Sequence, residues 1–164
     1  MNSCIRKLVL TAVCIGSSGA ALAGGVTVRY VHPEQFSDMP VPVSDRERAL
    51  GEISAHFSKL GQALPPSQEL AVEVLDIDLA GHTVPNGHGE EVRVLNKHDL
   101  AHMHLRYTLS EQGKVIRSGD MNISDFKAPE ELLSKRPANK LPREKLMIDL
   151  WWHANIQGNE LTQR

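Results

Sequence analysis

Apolar and polar residues alternate from Gly25 to Val31, with Val26, Val28 and Tyr30 on one side and Thr27 and Arg29 on the other. That period of two predicts a half-buried first strand, ended by His32-Pro33 because proline brings no amide to a ladder. After an irregular, proline-containing connection the period lengthens. Leu50, Ile53, Phe57, Leu60 and Leu64 recur at steps of three and four, the stripe of a helix with one buried face. Ser44-Asp45-Arg46-Glu47 has the form of a capping box in front of it, and Pro65-Pro66 closes it.

The next apolar run, Leu70 to Leu79, changes phase: Leu70, Val72 and Val74 share one side, and Leu75, Ile77 and Leu79 the other. Such a strand is either covered on both faces or bulged near Val74-Leu75. Ala80 to Glu91 is polar and turn-rich, and Val92 to Leu95 predicts a short edge strand. From His102 to Ser124 the pattern is a hairpin, with Met103, Leu105, Tyr107 and Leu109 facing one way and His102, His104, Arg106 and Thr108 the other. Gly113 supplies the positive φ of a three-residue loop, Glu111-Gln112-Gly113. A slip of phase in the return strand predicts a glycine bulge at Ser118-Gly119.

Lys127 to Lys140 has no clear period. Pro142 then opens a last helix where a missing amide costs nothing. Leu146, Met147, Leu150, Trp151 and Ala154 make its broad apolar face, which reaches about Ile156. The order β-α-β, short β, β-β-α predicts an α+β two-layer sandwich. Its sheet is mixed, mostly antiparallel and four- to five-stranded, with two helices packed on one face. If its strands are neighbours, the first β-α-β unit makes a right-handed parallel crossover.

Ahead of the first strand the pattern is of another kind. Arg6 and Lys7 precede the apolar run Leu8 to Ile15, and small residues lead to Ala21-Leu22-Ala23, the three parts of a cleavable secretory signal. Gly16, Ser17, Ser18 and Gly19 interrupt the run well short of the roughly 20 apolar residues a spanning helix needs. The organisation expected is therefore a signal peptide at 1–23, one domain at 24–157 and a frayed polar tail at 158–164, with no membrane insertion after cleavage. Cys4 and Cys14 both lie in the leader, so the exported chain has no disulfide, thiolate nucleophile or cysteine-held zinc. Of the 18 basic residues two leave with the leader, so 16 face 20 acidic ones. That balance offers no basic face to nucleic acid.

The segments Val72-Glu73-Val74 and Asp76 to Gly81 resemble an exported bacterial family, domain-of-unknown-function family 3016. So do Val92 to Leu95, His104 to Leu109, Ser118-Gly119-Asp120 to Ser124-Asp125, and Glu144-Lys145 with Met147, Asp149, Trp151 and Trp152. The resemblance spans nearly all of the mature chain in order, with a departure between Asp125 and Pro142. It implies export and a shared fold, and brings no catalytic residue with it.

Two constellations could carry function. His102 and His104 point to one side of a strand and, with His98 just upstream, could hold Zn²⁺ or Cu²⁺. Against this, Arg106 follows on the same side roughly 7 Å from His104, opposing a cation by ~0.6 kcal/mol in water and ~2.4 at an effective dielectric of 20. Trp152 aligns with Ile148 on a second line of the last helix. This line is either an exposed ridge for a protein partner or part of a wide buried face. Asp76-x-Asp78 with Gly81 fails as a calcium loop, because Ala80 and Gly87 stand where ligands belong. No nucleophile elbow, phosphate loop, H-E-x-x-H or dinucleotide fingerprint occurs, so no catalytic residue is assigned. The expectation is a periplasmic or secreted, non-enzymatic module that binds or supports another envelope macromolecule, such as an envelope protein. The alternative is a histidine-based metal-binding periplasmic protein, and oligomeric state is left open.

Overall fold

The first alternation becomes β1, Gly25–Tyr30, and the phase-changing run becomes β2, Gln68–Asp78, with helix α1 at Val43–Gly61 between them. β3 (His82–Pro85) and β4 (Glu91–Val94) follow, then β5 (His102–Glu111), β6 (Lys114–Ser124) and helix α2 (Pro142–Asn155). The structure is a computed structural model that describes residues 25–88, 91–95, 99–125 and 141–158. Four strands form one mixed sheet in the order β1-β2-β5-β6, while β3 and β4 pair separately. β1 runs parallel to β2, and the other neighbours are antiparallel. This is the predicted α+β sandwich, with four strands in its main sheet.

The apolar parity of each strand faces the helices. Leu70, Val72 and Val74 of β2 and Met103, Leu105, Tyr107 and Leu109 of β5 are buried against Ile53 and Phe57 of α1 and Met147, Ile148, Trp151 and Trp152 of α2. The Trp151 ring meets Phe57 edge-on at 6.0 Å and Tyr107 at 5.3 Å, so one side chain ties both helices to the sheet. Two glycines let backbones close up. A Cβ on Gly61 would lie 2.4 Å from the Val26 side chain, and one on Gly119 would lie 2.7 Å from the Tyr107 ring.

Several local expectations are corrected. The bulge in β2 is real, the ladder slipping between Val74 and Asp76. In β6, however, the slip falls between the partners of Leu109 and Ser110, which are Arg117 and Val115, so Ile116 is the extra residue and Gly119 pairs regularly with Tyr107. The hairpin turns on two residues, Gln112 and Gly113, both at positive φ (51° and 78°), the signature of a tight primed turn. The capping box does not form. α1 starts at Val43, and its first amides bond the Pro42 carbonyl with no side-chain cap. His82–Pro85, read as loop, pairs with β4 in register. In α2 the buried side is centred on Met147, Ile148, Trp151 and Trp152, leaving Leu150 41 % exposed and Ala154 exposed. The stretch Lys127 to Lys140 and the tail beyond 158 lie outside the described residues.

Candidate functional site

With both helices on one side, the polar parity of the strands forms a second face, left open by the described residues. Register alone builds its central row: Arg29 of β1 stands opposite Glu73 of β2, Glu73 opposite Arg106 of β5, and Arg106 opposite Asp120 of β6. Charge alternates along the row. Arg29 bonds Glu73 Oε1, Arg106 Nη1 reaches Glu73 Oε2 at 3.3 Å, and Arg106 Nε and Nη2 grip Asp120 Oδ2 at 3.1 and 3.0 Å. His104 Nε2 adds a bond of 2.6 Å to Asp120 Oδ1. The hydrogen bond from Arg29, reinforced by Arg106, holds the Glu73 carboxyl below its usual range. His104, then Arg106, does the same for Asp120. Each favours the ionised acid.

The neighbouring row is small and uncharged: Thr27, Ala71, Thr108 and Ser118, again directly opposite one another. On the other side of the charged row Asp76 faces His104 and Asp78 faces His102. The central strands thus differ in sign on this face. β2 offers Glu69, Glu73, Asp76 and Asp78, whereas β5 offers Arg106 with His102 and His104. Asp76 also fixes the chain beyond β1, accepting from Ser37 N and Oγ at 2.7 Å each.

A second polar cluster closes one end of the sandwich. Arg93 of β4 bonds Asp38 at 2.8 and 3.1 Å and donates to the carbonyls of Leu79, Ala80 and Gly81. Glu144, in the first turn of α2 and 2 % exposed, accepts from Ala80 N at 2.9 Å. Asp125 takes Ala101 N at 2.9 Å and Arg143 Nη1 at 2.7 Å. Burial pushes the Glu144 carboxyl up. The cluster holds the β3–β4 ladder and α2 to the loops around the sheet. Its groups are engaged with one another, as buried polar groups must be.

Between the helices a groove of about 410 Å³ is lined by Glu52, Ala55, His56, Lys59, Leu60, Lys145 and Asp149. His56 Nε2 meets Asp149 Oδ1 at 2.6 Å, and Lys145 bonds Glu52. The His56–Asp149 pair is a clasp between α1 and α2.

The sequence-predicted residues divide. His102 and His104 share the open face, with His104 engaged by Asp120; His98 lies outside the described residues. Among the described residues no group of three or more metal-ligating side chains gathers. Trp152 and Ile148 are both 0 % exposed, so the exposed ridge is not there. The line is the inner half of a wide apolar face. Sequence reading did not find the charged row: each of the four strands carries charge at its polar parity, but which charges stand side by side is set by register. It also did not find the buried acids Asp125 and Glu144, which look like any surface carboxylate in sequence.

Among the described residues, fold and site define a two-layer α+β module with helices on one sheet face and charged and polar side chains on the other. Over residues 24–154 the chain matches the family described as Protein of unknown function (DUF3016), and it belongs to that family. No curated protein and no solved structure matches it.

Proposed function

We propose that this chain is an exported, non-enzymatic binding module of the bacterial envelope, periplasmic or secreted, that engages another macromolecule through the open face of its sheet. The leader pattern at 1–23 supports export. The observation that carries the binding role is the row Arg29–Glu73–Arg106–Asp120. Four charged side chains are held in fixed geometry by mutual hydrogen bonds on a face no described element covers, next to a flat strip of small residues. Pre-ordered charge of this kind sets register and specificity at an interface at little further entropic cost.

A photo-activatable residue at Ser118, on the open face, should give envelope cross-links that Arg106→Glu removes. The same group at His153, exposed on α2, should give none. Equal cross-linking from both positions would show that the face is only solvated surface. The histidine reading retains one favouring observation, that His102 and His104 lie side by side on this face. It requires tight, stoichiometric uptake of Zn²⁺ or Cu²⁺ that the double change His102→Ala, His104→Ala abolishes.

A further inference from the structure

The charge order on the open face has a symmetry of its own. Read from β1 to β6 the row is plus, minus, plus, minus. Rotated by 180° about an axis lying in the face, parallel to the strands and between β2 and β5, it becomes minus, plus, minus, plus. Laid over itself that way, Arg29 meets the partner's Asp120 and Glu73 meets the partner's Arg106. The same rotation sets Asp76 over the partner's His104 and Asp78 over the partner's His102, since these are direct cross-strand neighbours. Thr27 then meets Ser118, and Ala71 meets Thr108, with nothing bulky between the sheets. An axis along the row instead stacks Arg29 on Arg29 and Glu73 on Glu73, which repels. Of the twofold axes parallel to the strands, the one between β2 and β5 is the one that overlays all four strands and pairs every charge of the row.

From this we infer that a second copy of the chain docks on the open face, forming an isologous, face-to-face sheet dimer whose twofold axis runs along the strands between β2 and β5. The inference rests on the reading of that face as the binding surface and names its occupant. A twofold interface requires the same patch on both subunits to be self-complementary, and aligned stacking of two twisted sheets is a standard packing. With strands about 4.8 Å apart and rising about 3.3 Å per residue, the face presents on the order of 550 Å² per copy. The resulting total of roughly 1,100 Å² sits at the lower edge of specific interfaces. The dimer is therefore weak, concentration-dependent and, being held by exposed charges, weakened by salt on the scale of the Debye length.

The test uses the chain from Gly24 in sedimentation equilibrium at low salt. The parent should associate to a dimer that added salt dissociates. Arg29→Glu alone and Asp120→Arg alone each set like charges against each other twice per dimer, and each should weaken association about tenfold or more. Mixed together, the two variants should recover a heterodimer. The glutamate introduced at position 29 of one copy then meets the arginine introduced at position 120 of the other, while the native Asp120 and Arg29 pair as before. Residues 29 and 120 lie on opposite edge strands of one chain, so rescue in the mixture has no explanation within a monomer. Unchanged far-ultraviolet dichroism shows that each variant is folded. A monomer at all concentrations, or a mixture no better than its components, overturns the inference. If Ser118 cross-links to envelope proteins nevertheless persist and depend on Arg106, the binding face stands and its occupant is another protein. If both fail, both readings fall.

Discussion

Trp152 shows how much one residue's environment decides. It is fully buried, and its indole N–H finds no acceptor among the described residues; the same holds for Trp151. Truncation leaves a large cavity, so Trp152→Ala should cost about 3–5 kcal/mol in chemical denaturation. Trp152→Phe keeps most of the packing and removes an unpaired buried donor, so its loss should be well under half that of alanine. A near-neutral Trp152→Ala would mean that this side chain is not in the core. Tyr30 is a contrasting case. Its hydroxyl donates to the Leu50 carbonyl at 2.8 Å and meets Ser54 Oγ at 2.9 Å, while burial pushes its pKa up to about 12. There the polar tip of an aromatic ring is satisfied, and it anchors β1 to α1.

At the scale of elements, the β5–β6 hairpin is held by its ladder more than by its turn. Gln112 occupies a left-handed conformation, φ 51°, that branched or long side chains adopt at some cost. Its amide donates to the Ser67 carbonyl at 2.9 Å and its side chain is exposed, so Gln112→Asn keeps the bond and creates the Asn-Gly pair that such turns prefer. The expected gain is about 0.5–1 kcal/mol, read as a raised melting temperature. The hairpin itself was legible: Met103, Leu105, Tyr107 and Leu109 lie on the buried side as their alternation predicts. The bulge near Val74-Leu75 was legible as well, because a change of phase in a strand with one covered face has to be absorbed somewhere. The capping box was not realised. A four-residue motif states what a helix start could use, and the Pro42 carbonyl reached the first amides instead.

For the whole molecule, pH separates the two polar regions. Glu144 has its pKa raised by burial, so the folded state holds that proton more tightly than the unfolded one. Its stabilising contribution is full below the ordinary value of 4.5 and is lost as pH rises through the raised folded value. Glu73 and Asp120 are lowered by their cationic partners. Their contributions are present above 4.5 and 3.8 respectively and are lost as pH falls through the depressed folded values. Glu144→Gln keeps the carbonyl-type acceptor for Ala80 N and removes the titration. Its stability relative to the parent should therefore climb as pH rises above 4.5 and then level off; a difference independent of pH would show that Glu144 does not titrate between the two states.

With both helices expected on one face of the sheet, a second face without a helix was implicit in that reading. What that face carries was not. Periodicity along the chain is a local property: it reports which side of each strand is apolar, where a strand slips phase and where a helix presents its stripe, and it needs no knowledge of neighbours. On that basis the sequence alone determined the α+β class, most of the elements and the inner parity of the core. Which residue stands beside which is a long-range property. Arg29 and Glu73 are 44 positions apart, and a slip of one residue would send either to the opposite face. Strand order, register, the β3–β4 ladder, the burial of Trp152 and the alternating charge row exist only once β1 lies against β2 and β5 against β6. Only the tertiary structure decided them, because register between distant strands is settled by packing the whole core at once.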